Sequence, residues 1–149
     1  MKHFDVIVMG IGCMGAAACA HLARRGVSVL GLEQFSIPND RGSSGHQSRA
    51  FRLAYYEHPD YVPLLKRSRE LFLELNEESP TTIFHPSGGL YLGAEGGEFI
   101  EASQAAAERH GIEFERLDAS TTGDRFPSFR IPDHFVGLVE PGAGWIVPE

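Results

Sequence analysis

Apolar and polar positions along this chain alternate between two periods, and the breaks between them fall at glycine and proline. Residues 4–9 form a short apolar run that stops at Gly10-Ile11-Gly12-Cys13-Met14-Gly15. An Ala-rich stretch with helical spacing follows to Arg25, Gly26 closes it, and a second apolar run over 27–32 leads to Glu33. A polar loop then extends from Gln34 to Gly45, with Pro and Gly as its breakers. The spacing over 47–56 admits a helix. Asp60 is expected to cap the next helix, whose apolar stripe is Tyr61, Leu64, Leu65, Phe72 and Leu75, with Pro63 in its first turn and Pro80 past its end. A stripe of this kind predicts core packing.

Further along, 83–93 predicts strand, turn, strand, and 97–110 an amphipathic helix closed by Gly111. A short strand is expected around Phe114, then a small helix capped by Asp118 that stops before Pro127. Runs 135–140 and 144–147 flank Pro141-Gly142 and predict the two arms of a hairpin.

The opening order of strand, glycine turn, helix, strand and acid is the dinucleotide fingerprint in its structural context. Gly10 permits the tight turn, Gly12 lets a pyrophosphate approach the backbone, and Gly15 lets the helix sit close to the sheet. The helix N-terminus offers unpaired N–H groups and a partial positive charge. Glu33 is placed to accept hydrogen bonds from ribose hydroxyls and would repel a 2′-phosphate. FAD or NAD therefore suits the site better than NADP. After Glu33 the chain makes a long polar excursion and then enters antiparallel-looking strands. A nicotinamide domain would usually continue with further parallel strand–helix units, so the order favours FAD. The fold class expected is α/β, a Rossmann-like FAD-binding domain interrupted by elements of an α+β substrate domain.

Composition adds bounds. The chain has 149 residues, 42% hydrophobic and 22% charged, as in an ordinary globular domain with a core. A net charge of −7 argues against nucleic acid or an acidic membrane surface as partner. No run is long enough to span a bilayer. The first strand starts almost at the N-terminus, leaving no room for a signal peptide, so a cytoplasmic location is expected. Cys13 and Cys19 have neither metal nor disulfide spacing, and the seven histidines are scattered. No metal site is expected. Cys13 reads as a small side chain tolerated beside the pyrophosphate.

A second constellation spans residues 42–56. Arg49 and Arg52 are three apart, so on a helix they would share a face. No acid precedes them at helical spacing, although Glu57 is near. Two guanidinium groups beside a Gly/Ser-rich loop suit a carboxylate or phosphate. Two exposed surface arginines would give the same spacing.

The chain resembles the N-terminal part of the sarcosine oxidase-like amine oxidases, within the D-amino-acid-oxidase-type flavoproteins. The resembling residues are 4–10, Gly12 to Gly15, Gly42-Ser43, Ser48-Arg49 with Arg52, Ala54-Tyr55 and Tyr61-Val62-Pro63-Leu64. They continue through Gly88-Gly89-Leu90, Phe126-Pro127 and Glu140-Pro141 with Gly144. The Ser-Arg-x-x-Arg segment followed by Tyr-Val-Pro-Leu is the specific part; the fingerprint is shared with many flavoproteins.

The resemblance implies a glutathione-reductase-type FAD domain. Residues 1–60 would belong to it, and 61–149 would hold a helix and the first substrate-domain strands, the rest of both domains lying outside these residues. Gly10, Gly12, Met14 and Gly15 would line the FAD pyrophosphate, and Glu33 with Gln34 would meet the adenosine ribose. Ser43, Ser48 and Arg49 would lie on the flavin side, with Arg49 beside the isoalloxazine ring. Arg52 would bind the substrate carboxylate, with Tyr55 bordering that pocket. The family has a histidine directly before a glycine ahead of the arginines. Here Gly45 precedes His46, which leaves His46 outside the site.

The implied reaction oxidises the secondary amine of a small amino acid to an imine while molecular oxygen becomes hydrogen peroxide. A cation at Arg49 would favour a reduced, anionic flavin. Family members are more than twice this long, so the activity is assigned to the family. An NAD-dependent dehydrogenase and a non-catalytic nucleotide-binding remnant stay open at this point.

Overall fold

Val6–Met9 (β1) and Val29–Leu32 (β2) run parallel, Val6 opposite Val29 and Met9 opposite Leu32, with helix Cys13–Arg24 (α1) as the crossover. Parallel neighbours require such a connection. Gly26, at φ +79°, turns the chain back toward the sheet, and the Val27 N–H bonds to the Leu22 carbonyl at 3.1 Å. This is a computed structural model, and it describes residues 2–45 and 47–148. His46 lies outside the described residues.

The chain divides into two compact units, residues 1–47 with Pro148 and Ser48–Val147. In the first unit, no residue of α1 is buried. Ile7 is 58% exposed, Met9 85% and Leu32 48%. Parallel strands are ordinarily covered on both faces, so these apolar side chains lack the cover that their residue types call for.

The second unit, Ser48–Val147, opens with strand Arg49–Phe51 (β3) and a 3-10 turn Pro59–Tyr61, and continues with helix Val62–Glu78 (α2). Strands Phe84–His85 (β4) and Gly89–Ala94 (β5), helix Glu98–His110 (α3), strand Glu115–Leu117 (β6) and helix Ala119–Arg125 (α4) come next. Phe135–Glu140 (β7) and Gly144–Ile146 (β8) complete it. The strands form two antiparallel sheets, ordered β3-β8-β4 and β5-β7-β6.

The mixed α/β content agrees with the class expected from the sequence. Its core is Phe51, Val62, Phe84, Tyr91, Ile100, Val136 and Leu138 with their neighbours. Phe51 meets the rings of Phe72 and Phe84 edge-on, with centroids 5.8 and 5.3 Å apart, a favoured aromatic geometry. Helix α3 ends as its sequence requires: Gly111 adopts φ +60°, the left-handed conformation that stops helices. Asp118 caps α4, accepting from the Thr121 N–H at 2.7 Å.

Three local expectations are corrected. Residues 49–51 are a strand, not part of a helix over 47–56, because β3 finds a partner in β8: Ala50 pairs with Trp145. Asp60 does not cap α2. It sits inside the 3-10 turn, where His58 Nδ1 accepts from its N–H at 3.3 Å, and Tyr61 takes the cap position. The runs at 135–140 and 144–147 are not arms of one hairpin, since β7 pairs with β5 and β6 while β8 pairs with β3 and β4. The strand, turn, strand expected over 83–93 forms as β4 and β5, which belong to different sheets.

Candidate functional site

In the first unit the site grows from the end of β1. Gly10 adopts φ +87°, a conformation that a side chain resists. A Cβ built on Gly15 would fall on the Gly10 carbonyl oxygen, so only glycine lets α1 start this close to the turn. A Cβ on Gly12 would meet nothing within 4 Å. The backbone there faces open space, as a phosphate approach needs. Met14, on the first turn of α1, is 84% exposed.

Glu33 stands just past β2 and reaches back to the same turn. Its Oε2 accepts from the Ile11 N–H at 2.8 Å, while Oε1 accepts from Gln34 N–H at 2.8 Å and Phe35 N–H at 3.2 Å. These backbone donors, Ile11 first, hold its carboxyl below the usual range, since hydrogen bonds to the charged form favour it. Three of about four acceptor positions on the carboxylate are thus taken. Glu33 therefore braces the glycine turn, a role absent from the sequence reading. Met9, Gly10, Leu32, Glu33 and Gln34 line an open cleft of about 600 Å³ at the carboxyl ends of β1 and β2, where open α/β sheets place their ligands.

Ser43 is exposed in the loop of the first unit, and Ser48 is exposed at the start of the second. Arg49 is half-buried on β3, its Nη1 donating to the Ser48 carbonyl at 3.2 Å. Arg52 follows the end of that strand, so the shared helical face expected for Arg49 and Arg52 does not form. Arg52 Nη2 instead pairs with Glu57 Oε1 at 2.6 Å, and its guanidinium lies 4.9 Å from the Tyr55 ring centroid and 5.3 Å from that of Tyr56. Two rings and a carboxylate make a defined seat for one cation.

Glu140, one of the resembling residues, has a buried role that its sequence context alone does not assign. Glu140, 1% exposed, accepts from the N–H groups of Leu53 and Ala54 and from the Tyr91 hydroxyl. Burial, then the Glu140 charge, pushes the Tyr91 phenol well above its ordinary value. A sequence signal existed: along β7 every second residue, Val136, Leu138 and Glu140, is buried, so the strand period points this acid inward.

Residues 5–149 match the family described as FAD dependent oxidoreductase, DAO. The chain belongs to that family. Against monomeric sarcosine oxidase of Streptomyces avermitilis, this DAO-family chain is 41% identical over 146 residues, covering 98% of its own length and 38% of the relative's. Against N-methyl-L-tryptophan oxidase of Salmonella arizonae the identity is 35%, covering 98% and 39%. Among solved structures, NikD, an unusual amino acid oxidase essential for nikkomycin biosynthesis, superposes with a TM-score of 0.80 at 27% identity, over 99% of this chain and 38% of that one. The chain thus spans well under half the length of these relatives. FAD is the cofactor of the DAO family, and nothing among the relatives favours an NAD-dependent dehydrogenase. Among the described residues, no helix is long and apolar enough to cross a membrane.

Proposed function

We propose that these residues form the N-terminal part of an FAD-dependent oxidase that converts the secondary amine of a small amino acid to an imine, with molecular oxygen reduced to hydrogen peroxide. The observation that carries this is the Arg52 seat: the guanidinium, ringed by Tyr55 and Tyr56, already grips a carboxylate, that of Glu57, at 2.6 Å. An amino-acid carboxylate offers the same group. Sarcosine and other N-methyl amino acids fit this chemistry, as the names of the relatives suggest.

The residues of the first unit fit FAD. Gly10, Gly12, Met14 and Gly15 would hold its pyrophosphate, and Glu33 with Gln34 its ribose. Ser43, Ser48 and Arg49 would serve its flavin side. In this assignment residues 1–60 are part of the nucleotide domain and 61–149 hold a helix and the first strands of the substrate domain. When bound, the flavin supplies the two-electron chemistry. The protein's share is position and charge. Arg52 fixes the substrate carboxylate and so orients the reacting carbon, an alignment that can lower a barrier by several kcal/mol. The Arg49 guanidinium supplies a permanent positive charge, which favours negative charge developing nearby.

The experiment is Arg52→Ala. Apparent KM for sarcosine should rise steeply while FAD content is retained; loss of FAD with an unchanged KM would refute the carboxylate assignment. A flavin absorption spectrum of the purified protein tests the cofactor directly, because an NAD enzyme would lack it.

A further inference from the structure

The Glu140 carboxylate takes three donors: Leu53 N–H on Oε1 at 2.9 Å, Ala54 N–H on Oε2 at 3.0 Å, and the Tyr91 hydroxyl on Oε2 at 2.5 Å. A buried carboxylate is costly unless it is satisfied in this way. The two amides belong to consecutive residues, and both follow directly on Arg52. The turn after Glu140 is itself held from two sides. Arg69 Nε donates to the Gly142 carbonyl at 3.1 Å, and the Gly88 N–H to the Ala143 carbonyl at 3.0 Å. A Cβ on Gly142 would press within 2.9 Å of Leu53 Cδ1, so this turn packs against the Arg52 segment.

We propose that Glu140 is a positioning residue for Arg52. Anchored by β7 and by Tyr91, it clamps the main chain of Leu53 and Ala54 and thereby sets the point from which the Arg52 side chain extends. This rests on the reading that Arg52 receives a substrate carboxylate. The chemistry explains why an acid stands here. Both carboxylate oxygens accept, so two adjacent N–H groups can be gripped as a fork. A glutamine would turn an N–H donor toward one of those N–H groups, and an apolar residue would leave both without an acceptor.

The test compares Glu140→Gln, Tyr91→Phe and Arg52→Ala in the FAD-loaded holoenzyme. The substrates are sarcosine and dimethylamine, which is sarcosine without its carboxylate. Glu140→Gln should lower kcat/KM for sarcosine by up to roughly hundredfold, the cost of a misplaced positioning group, with a rise in KM. It should leave FAD content and the kcat/KM for dimethylamine near wild type. Amide hydrogen exchange at Leu53 and Ala54 should quicken. Tyr91→Phe removes one donor and leaves the fork, so it should shift both readouts less and in the same direction.

If Arg52→Ala fails to raise KM for sarcosine, the carboxylate reading falls. If Arg52→Ala raises it and Glu140→Gln does not, that reading stands and the positioning role is overturned. An equal loss on both substrates, or loss of FAD, would overturn it in favour of plain structural support. Should Glu140→Gln fail to fold, Tyr91→Phe decides: unchanged sarcosine KM together with unchanged exchange at Leu53 and Ala54 would overturn the proposal.

Discussion

Replacing Gly15 with alanine should damage the nucleotide turn in a measurable way. The added Cβ would fall on the Gly10 carbonyl oxygen, 3.0 Å from its carbon and 3.4 Å from Val8 Cγ1. The obstacle is main chain, which cannot swing aside as a side-chain tip can, so either the turn or α1 must move. Overpacking of this kind costs about 1–3 kcal/mol, and a backbone clash belongs at the upper end. The better helix propensity of alanine offsets about 1 kcal/mol, which leaves a net loss of about 2 kcal/mol. If that strain is felt wholly at the pyrophosphate, FAD affinity should fall by roughly 30-fold. Urea denaturation followed by circular dichroism, together with FAD titration by flavin fluorescence, would measure both effects. Gly123→Ala is the control. It sits in α4, where a Cβ meets nothing within 4 Å, so only propensity remains and stability should rise by about 0.5–1 kcal/mol. Wild-type stability and FAD affinity in Gly15→Ala would refute the reasoning.

Three further outcomes follow from the geometry. The folded-state pKa of Glu33 lies below its ordinary 4.5, with the Ile11 N–H as the main cause. Its brace on the turn is therefore complete above the unfolded value and is lost as pH falls through the folded one. The stability gap between wild type and Glu33→Gln, measured by urea titration at stepped pH, should be constant near neutrality and shrink in acid; a gap independent of pH would contradict this. Glu57→Gln should free Arg52 for substrate. An ion pair this exposed is worth about 0.2–1 kcal/mol, so KM for sarcosine should fall by roughly 1.4- to 5-fold, and a rise in KM would show that Glu57 helps binding. The His85 and Trp145 rings stack 3.9 Å apart at 7°, and Trp145 is the sole tryptophan. His85→Ala should therefore move its emission to the red as water reaches the uncovered indole face, whereas an unchanged spectrum would rule out the stack.

Local chemistry was readable from the residues wherever neighbours in sequence decide the conformation. Gly10 and Gly15 announce the turn, Gly111 ends α3, and Asp118 starts α4, each through a contact within a few residues. What stayed hidden depends on distant partners. Nothing between residues 47 and 56 shows that Ala50 will pair with Trp145, and without that partner the apolar spacing admits a helix. Pro141-Gly142 looks like a hairpin turn because turn residues do not say which strands flank them. Here the chain uses the turn to leave one sheet for another. The Arg52 seat was visible as residue types, but its geometry was not, because Tyr55, Tyr56 and Glu57 surround the guanidinium only once β3 has ended. Glu140 was visible only as an acid in phase with Val136 and Leu138, and its partners Leu53 and Ala54 lie 87 and 86 positions away.

That switch of sheets at Pro141 has a mechanical meaning. One uninterrupted stretch of backbone is the middle strand of both layers, β7 in one and β8 in the other, and the carboxylate at the junction is tied into the segment that follows β3. Peeling the layers apart would mean stretching this stitch and exposing a charge that has no water around it. The two layers should consequently melt as a single cooperative block, with exchange of their central amides governed by one common opening event.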